Sequence, residues 1–165
     1  MMPLDTEKCL YCGLAISGGW PACNVLFNEV RLHENGNVRY GVVGRITVDT
    51  YCMQHEEQYC GRAIGLAAHL SGLCIAVEHR GHPKVYRALQ RWLDRSARSV
   101  VEYPPQPGIP AWRGPITIMA VRRAATDTPE AYCAVVRRWA KTTWDAFNAL
   151  QPLARGWVDE ALNLR

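Results

Sequence analysis

The sequence lacks the features of a membrane or secreted protein. No apolar run approaches the roughly 20 residues that a membrane-spanning helix needs. The first eight residues lack a basic segment followed by an apolar one, so no secretory signal is visible. The formal net charge is only +4, which permits an acidic partner without requiring one. We therefore expect a cytoplasmic protein with no membrane partner.

Low-complexity tracts and internal repeats are also lacking. Hydrophobic residues make up 48% and charged residues 21% of the 165 positions, values that exclude a disordered chain. This length suits one domain with a substantial core. We predict a single, mainly α-helical, bundle-like domain over residues 1–165. Within it we expect a zinc knuckle at 1–24, central helices at 25–98, a proline-rich connector at 99–116 and C-terminal helices at 117–165.

Cysteine is the unusual component. In a cytoplasmic chain, seven cysteines indicate thiols or metal ligands rather than disulfides. Cys9 and Cys12 form a Cys-x-x-Cys-Gly turn, and Cys23 follows at a distance that allows a third thiolate. This pattern predicts zinc. A redox pair is the alternative, although the βαβ context of a thioredoxin-like site is missing, and three buried thiols without a metal are another.

Residues 46–78 carry two apolar stripes with helical spacing, each containing a histidine, His55 in the first and His69 in the second. A turn at 56–62 would let the stripes face each other. We expect one of the two histidines to be the fourth zinc ligand, and we prefer His55 because a loop reaches a helix end more easily. A histidine within an apolar helix needs a partner, so His69 is either a bonded core residue or a site residue. Asp49 either pairs with Arg45 on the surface or orients a histidine or a metal-bound water.

In the N-terminal half, Asn24 is a potential N-cap for a helix over residues 24–32. A second helix is expected from the region 38–45 to His55. The alternation of apolar residues around Asn35-Gly36 also fits a β-hairpin. His33, His79 and His82 lie near predicted turns, where we expect them to be solvated.

A helix over residues 84–96 carries a basic stripe along one side. Its members are Lys84, Arg87, Arg91, Arg95 and Arg98. Such a stripe could bind nucleic acid or an acidic protein, but a solvated face is the more common explanation. Nucleic acid is therefore possible but not favoured as a partner.

The C-terminal third begins with prolines that exclude a helix or central strand over residues 103–115. We expect Trp112 to pin this segment to the body of the protein and Thr117 to cap a short helix. Thr128-Pro129-Glu130 predicts a helix start. That helix should continue to about Leu150 and be ended by Pro152.

Several elements, in order along nearly the whole chain, together resemble DUF5946, a bacterial family of unknown function. They are Cys9-x-x-Cys12-Gly13, Pro-Ala-Cys23, Arg45-Ile-Thr-Val-Asp49-x-Tyr51-x-x-Gln54-His55, His69-Leu70-x-Gly72-Leu73-Cys74, Glu102-x-Pro104-Pro105 and Trp139-Ala140-x-x-x-Trp144. The resemblance implies a small helical protein with Cys9, Cys12, Cys23, His55 and His69 as ligand or site positions. It implies no reaction.

The chain departs from the family pattern at three places. Gly44 stands where the pattern has a histidine, Leu150-Gln151 where it has a histidine pair, and Glu56 where it has a proline. Chemistry that depends on those histidines would be lost or changed in this member.

Two classes of function follow. As an enzyme, the protein would use zinc-bound water for hydrolysis of, or transfer onto, a small molecule, and Asp49 or the histidine that does not bind zinc, preferably His69, would move the proton. As an interaction module, it would hold a structural zinc and meet a protein or an acidic or nucleic-acid partner through the basic stripe or the connector. Three protein ligands plus water would favour the enzyme, and four protein ligands would favour the module.

Overall fold

The computed structural model describes residues 7–100 and 108–164, with the side chains of 96–100 left outside that description. Within these residues the fold is mainly α, as predicted, and the only β feature is an isolated bridge between Lys8 and Ala15. The helices are α1 Gly19–Gly36, α2 Val38–Gly41, α3 Gly44–Gln54, α4 Glu56–Tyr59, α5 Ala63–Glu78, α6 Pro83–Val100, α7 Ile118–Arg123, α8 Pro129–Ala146 and α9 Gln151–Asn163. Two short 3₁₀ turns, Ala124–Thr126 and Asn148–Leu150, join the C-terminal helices.

Helix α5 is the centre of the molecule. Its sequence is apolar on nearly every side, and a helix with that composition is stable in water only when other elements cover it. Helices α3, α6, α8 and α9 all pack against it. Leu70, Leu73 and Ile75 of α5 are completely buried in the resulting core. No helix in the described part of the chain has the length and apolarity needed to cross a bilayer.

Helix α1 begins earlier than predicted. It starts at Gly19 after Gly18, whose φ of 94° is readily adopted by glycine. Asn24 is therefore inside the helix rather than its cap, and its side-chain oxygen accepts a hydrogen bond from the Tyr59 hydroxyl at 3.1 Å. The alternative hairpin is not formed. Asn37 instead separates α1 from α2 and accepts a hydrogen bond from the Arg39 amide at 3.0 Å.

The start of α8 is as predicted, because Thr128 Oγ1 accepts a hydrogen bond from the Ala131 amide at 3.3 Å. The end of α8 is not. The helix stops at Ala146, and Pro152 lies in the first turn of α9 instead of ending a helix. Proline suits that position since the first amides of a helix have no partner within it.

The segment after residue 107 is held by Arg113 and not by Trp112, which is 65% exposed. The Arg113 guanidinium donates to the Gln54 carbonyl at 3.1 Å and to Glu57 Oε2 at 2.6 Å. In return the side-chain amide of Gln54 donates through Nε2 to the backbone carbonyls of Arg113 and Ile116 at 2.9 and 2.8 Å. The predicted connector lies partly outside the described residues, at 101–107, and the division of the chain at 24, 98 and 116 stays a prediction.

Candidate metal centre and a separate histidine–aspartate pair

A tight turn brings the sulfur atoms of Cys9 and Cys12 together. The Cys9 amide donates to the Leu14 carbonyl at 2.7 Å, and the Gly13 amide donates to the Cys9 carbonyl at 2.9 Å. Gly13 has a φ of 76°, which places the turn in a conformation that glycine adopts without strain. The Cys-x-x-Cys-Gly spacing thus produces the compact turn that it predicts.

The helices supply two more donor atoms. Cys23 lies in α1 and is buried, while His55 caps the C-terminal end of α3 and is completely buried. His55 Nδ1 lies 2.8 Å from the Tyr51 carbonyl oxygen. Since a carbonyl can only accept, Nδ1 carries the proton and the lone pair of Nε2 is directed at the cysteines. The Tyr51 ring stacks on the imidazole with a centroid separation of 3.9 Å.

Cys9, Cys12, Cys23 and His55 form a group that could hold a metal ion, with all four donor atoms within 4.8 Å of one another. Nε2 of His55 is 3.5 Å from the sulfur of Cys9 and 3.4 Å from that of Cys23, and the sulfurs of Cys12 and Cys23 are 3.8 Å apart. Tetrahedral zinc with ordinary bond lengths separates a sulfur from a nitrogen by about 3.5 Å and two sulfurs by about 3.8 Å. The spacing of these contacts is consistent with zinc.

The charges of the three thiols are coupled. Hydrogen bonds from Cys12 and Cys23 hold the pKa of Cys9 far below its usual value. A hydrogen bond with Cys23 lowers the pKa of Cys12, but the bond to Cys9 and burial outweigh it and raise that pKa to about 11. The bonds to Cys12 and Cys9, together with burial, raise the pKa of Cys23 well above its usual range. Three thiolates this close together repel one another, and a bound divalent metal would compensate their charge.

Residues 7–148 match a family model described as a family of unknown function, DUF5946. The chain belongs to this family. The matched residues include all four donor residues of the candidate metal centre and extend through α8. No curated protein and no solved structure matches the chain. Membership in DUF5946 therefore adds no reaction to the geometry.

The other four cysteines of this DUF5946 member are separate from that group. Cys52, Cys60, Cys74 and Cys133 are buried and free. Burial raises the pKa of Cys52 and of Cys74 to about 12, and it raises the pKa of Cys60 and Cys133 as well. These thiols behave as small core residues.

Asp49 and His69 form a pair that is separate from the four donor residues of the candidate metal centre. His69 Nδ1 lies 2.9 Å from Asp49 Oδ1, and Arg45 Nε donates to Asp49 Oδ2 at 2.8 Å. His55, the C-cap of α3, follows Asp49 by six positions, which turns their side chains about 120° apart around the helix. The structure thus places His55, and not His69, with the cysteines. Asp49 is buried and makes both predicted kinds of contact, the ion pair with Arg45 and a contact with a histidine, and its role in chemistry stays a prediction.

Two further polar features had no signal in the sequence. Glu34 of α1 is buried, where it accepts hydrogen bonds from Thr47 Oγ1 at 2.5 Å and from the Tyr132 hydroxyl at 2.9 Å and pairs with Arg31. His33 was expected in solvent, but it is half-buried, with its ring against Tyr40 and Tyr132 and its Nε2 enclosed without a partner.

The remaining two histidines lie near the end of α5 and the start of α6. His79 is also half-buried rather than solvated. His82 is exposed, as predicted.

Proposed function

We propose that this protein is a zinc-binding helical domain in which Cys9, Cys12, Cys23 and His55 hold a structural zinc ion. Thiolates and a neutral imidazole are the donors that zinc selects in structural sites. The contact distances near 3.5 and 3.8 Å support zinc over larger or octahedral ions, which prefer oxygen ligands.

The observation that carries a structural role is the closed set of donors. Four protein groups complete a tetrahedron, and Cys9, Cys23 and His55 are completely buried. A catalytic zinc keeps a position for water, and three thiolates also make the metal a weaker Lewis acid. This set therefore argues against the hydrolase or transferase that uses zinc-bound water, and for the non-catalytic alternative. The metal would join the N-terminal turn to α1 and α3.

Replacing Cys12 by serine tests this role. Cys12 is the least buried of the four, so the substitution disturbs packing little while removing one ligand. We expect bound zinc to be lost and the melting temperature to fall steeply, because the binding energy of a structural site is part of the folding energy. Cys60→Ser, a buried cysteine outside the group, is the matched control and should keep its zinc. A Cys12→Ser protein that retains both zinc and its melting temperature would refute the proposal.

A second candidate function is binding of an acidic partner by the basic stripe of α6. Lys84, Arg87 and Arg91 are exposed along that helix, which supports an interaction face for an acidic protein or nucleic acid. Binding of a 20-nucleotide single strand at several salt concentrations tests it. Affinity should fall linearly with salt concentration on logarithmic axes if phosphates are bound, and an affinity that does not depend on salt would exclude this function.

The seven free cysteines support the predicted cytoplasmic location, where thiols stay reduced.

A further inference from the structure

The Asp49–His69 pair lies in the wall of a cavity that the zinc ligands do not line. The cavity has a volume of about 820 Å³, within the range of small-molecule sites. Its apolar lining comes from Val48, Ile64, Ala68 and Leu93. An apolar cavity with a few convergent polar groups is the usual form of a ligand site.

The contact with buried Asp49 determines which ring nitrogen of His69 carries a proton. The carboxylate is 1% exposed and sits against Gly72, where even a methyl group would lie 2.0 Å from Asp49 Oδ2. Because an ionised carboxylate only accepts, Nδ1 of His69 carries a proton, and in the neutral imidazole Nε2 then has the lone pair. The imidazole is 22% exposed and lines the cavity, and no group in the described residues bonds to Nε2. His69 is therefore held as a proton acceptor facing the cavity.

Two arginines line the same cavity with unused donors. Arg45 binds Asp49 through Nε alone and lies over the Tyr86 ring at 5.4 Å, which leaves both of its Nη groups without a bond to the described residues. Burial lowers the pKa of Arg45, but the charge of Asp49 and the hydrogen bond to it together outweigh burial and raise the pKa, so the cation is kept. Arg31 uses Nη1 for Glu34 and for the Gly44 carbonyl at 3.0 Å, and its Nη2 is left over.

Gly44 makes the position of Arg31 possible. A Cβ at residue 44 would lie 2.8 Å from Arg31 Nη1, so a larger residue there would displace the guanidinium. The remaining carboxylate of the lining, Asp94, is exposed and accepts a hydrogen bond from Gln90 at 2.9 Å. The hydrogen-bond donors of the cavity that have no partner among the described residues thus belong to the cations Arg31 and Arg45. This arrangement is suited to binding an anionic ligand.

We propose that this cavity is a metal-free acid–base site for a small molecule that carries a carboxylate or phosphate group. The Nη groups of Arg31 and Arg45 bind the anionic group. Nε2 of His69 accepts the proton of a hydroxyl of the ligand, so that the O–H bond breaks, an N–H bond forms and the negative charge on oxygen develops beside the Arg45 cation. Asp49 is a positioning residue that keeps its negative charge throughout. The site does not depend on the zinc ion for chemistry.

Inorganic phosphate and acetate are suitable probes for the anion site. In the zinc-loaded protein each is titrated while the His69 Cε1–H resonance, assigned with His69→Gln, is followed by NMR. We expect a saturable shift with at least one of the two ions, and the stronger binder would identify the anionic group. No saturable shift with either ion would overturn the proposal.

Arg45→Lys sharpens the test. Lysine keeps a cation beside the buried Asp49, so the fold is preserved, but it removes the two Nη groups. Phosphate or acetate binding should weaken about tenfold. Arg39→Lys is the matched control, because Arg39 is an exposed arginine paired with Glu130 at 3.1 Å. Equal binding by the two variants would contradict the proposal.

A separate readout tests the proton acceptor. The ¹⁵N shifts of His69 at pH 8 should show a protonated Nδ1 and a bare Nε2. A proton on Nε2 would rule out His69 as the base even if anions bind.

Discussion

Gly72→Ala should destabilise the protein, although alanine normally strengthens a helix by about 1 kcal/mol. The new Cβ would lie 2.0 Å from Oδ2 and 2.5 Å from Cγ of Asp49, well inside a normal separation of about 3.5 Å. The carboxylate must therefore move, which weakens its bonds to Arg45 and His69. Overpacking costs about 1–3 kcal/mol, and each hydrogen bond to a charged group contributes about 1.5–3 kcal/mol.

After the helix gain is subtracted, we expect a loss of about 2–4 kcal/mol in the free energy of unfolding. For a chain of this size, that lowers the melting temperature by about 5–15 °C. Gly156→Ala in α9 is the control, because its Cβ would meet nothing within 4 Å. That variant should be as stable as the parent or more so.

A double-mutant cycle isolates the cause. In an Asp49→Ala background the added methyl group meets no carboxylate, so Gly72→Ala should cost little or be favourable. Denaturant unfolding of the four proteins measures the coupling. If Gly72→Ala is as harmless as Gly156→Ala in the parent protein, Asp49 does not lie where the site requires it.

Three further predictions follow from the polar contacts. Arg113→Ala should lower stability by about 2–4 kcal/mol and expose the segment after residue 107 to proteases, whereas Arg122→Ala, at an exposed ion pair, should cost under about 1 kcal/mol. The hydrogen bond from Arg113 lowers the pKa of Glu57 in the folded protein below its ordinary value of 4.5. The stability that this pair contributes is therefore present above pH 4.5 and is lost as the pH falls through the pKa of Glu57 in the folded protein. In Glu57→Gln, the free energy of unfolding measured from about pH 7 to 3 should fall less steeply. Asp49→Asn should abolish the single tautomer of His69 in ¹⁵N spectra, and an unchanged tautomer would show that Asp49 does not orient the ring.

The predictable part of the fold came from local signals. Cys-x-x-Cys-Gly indicated the turn at Cys9, and Thr128-Pro129 indicated the start of α8, because each depends only on neighbouring residues. The prediction that Pro152 ends α8 was wrong because it also used only a local signal. A proline excludes a helix interior but permits a helix start, and only the end of α8 at Ala146 decides between them.

The site depended on contacts between distant residues. Periodicity indicated that His55 and His69 both belong to apolar faces, but it could not say which one meets the cysteines, since that depends on how α1, α3 and the N-terminal turn pack. The space that Gly72 gives to Asp49 likewise has no local signal. The role of Arg113 has no local signal either, because its partners lie 56 and 59 positions away.

Metal content of the protein purified without added zinc tests the central claim most directly. We predict about one zinc per chain, retained by Cys60→Ser and by His69→Gln and lost from Cys12→Ser and His55→Ala. Loss of zinc from His69→Gln with retention in His55→Ala would contradict the ligand set. A parent protein that contains no metal and folds normally would contradict the account as a whole.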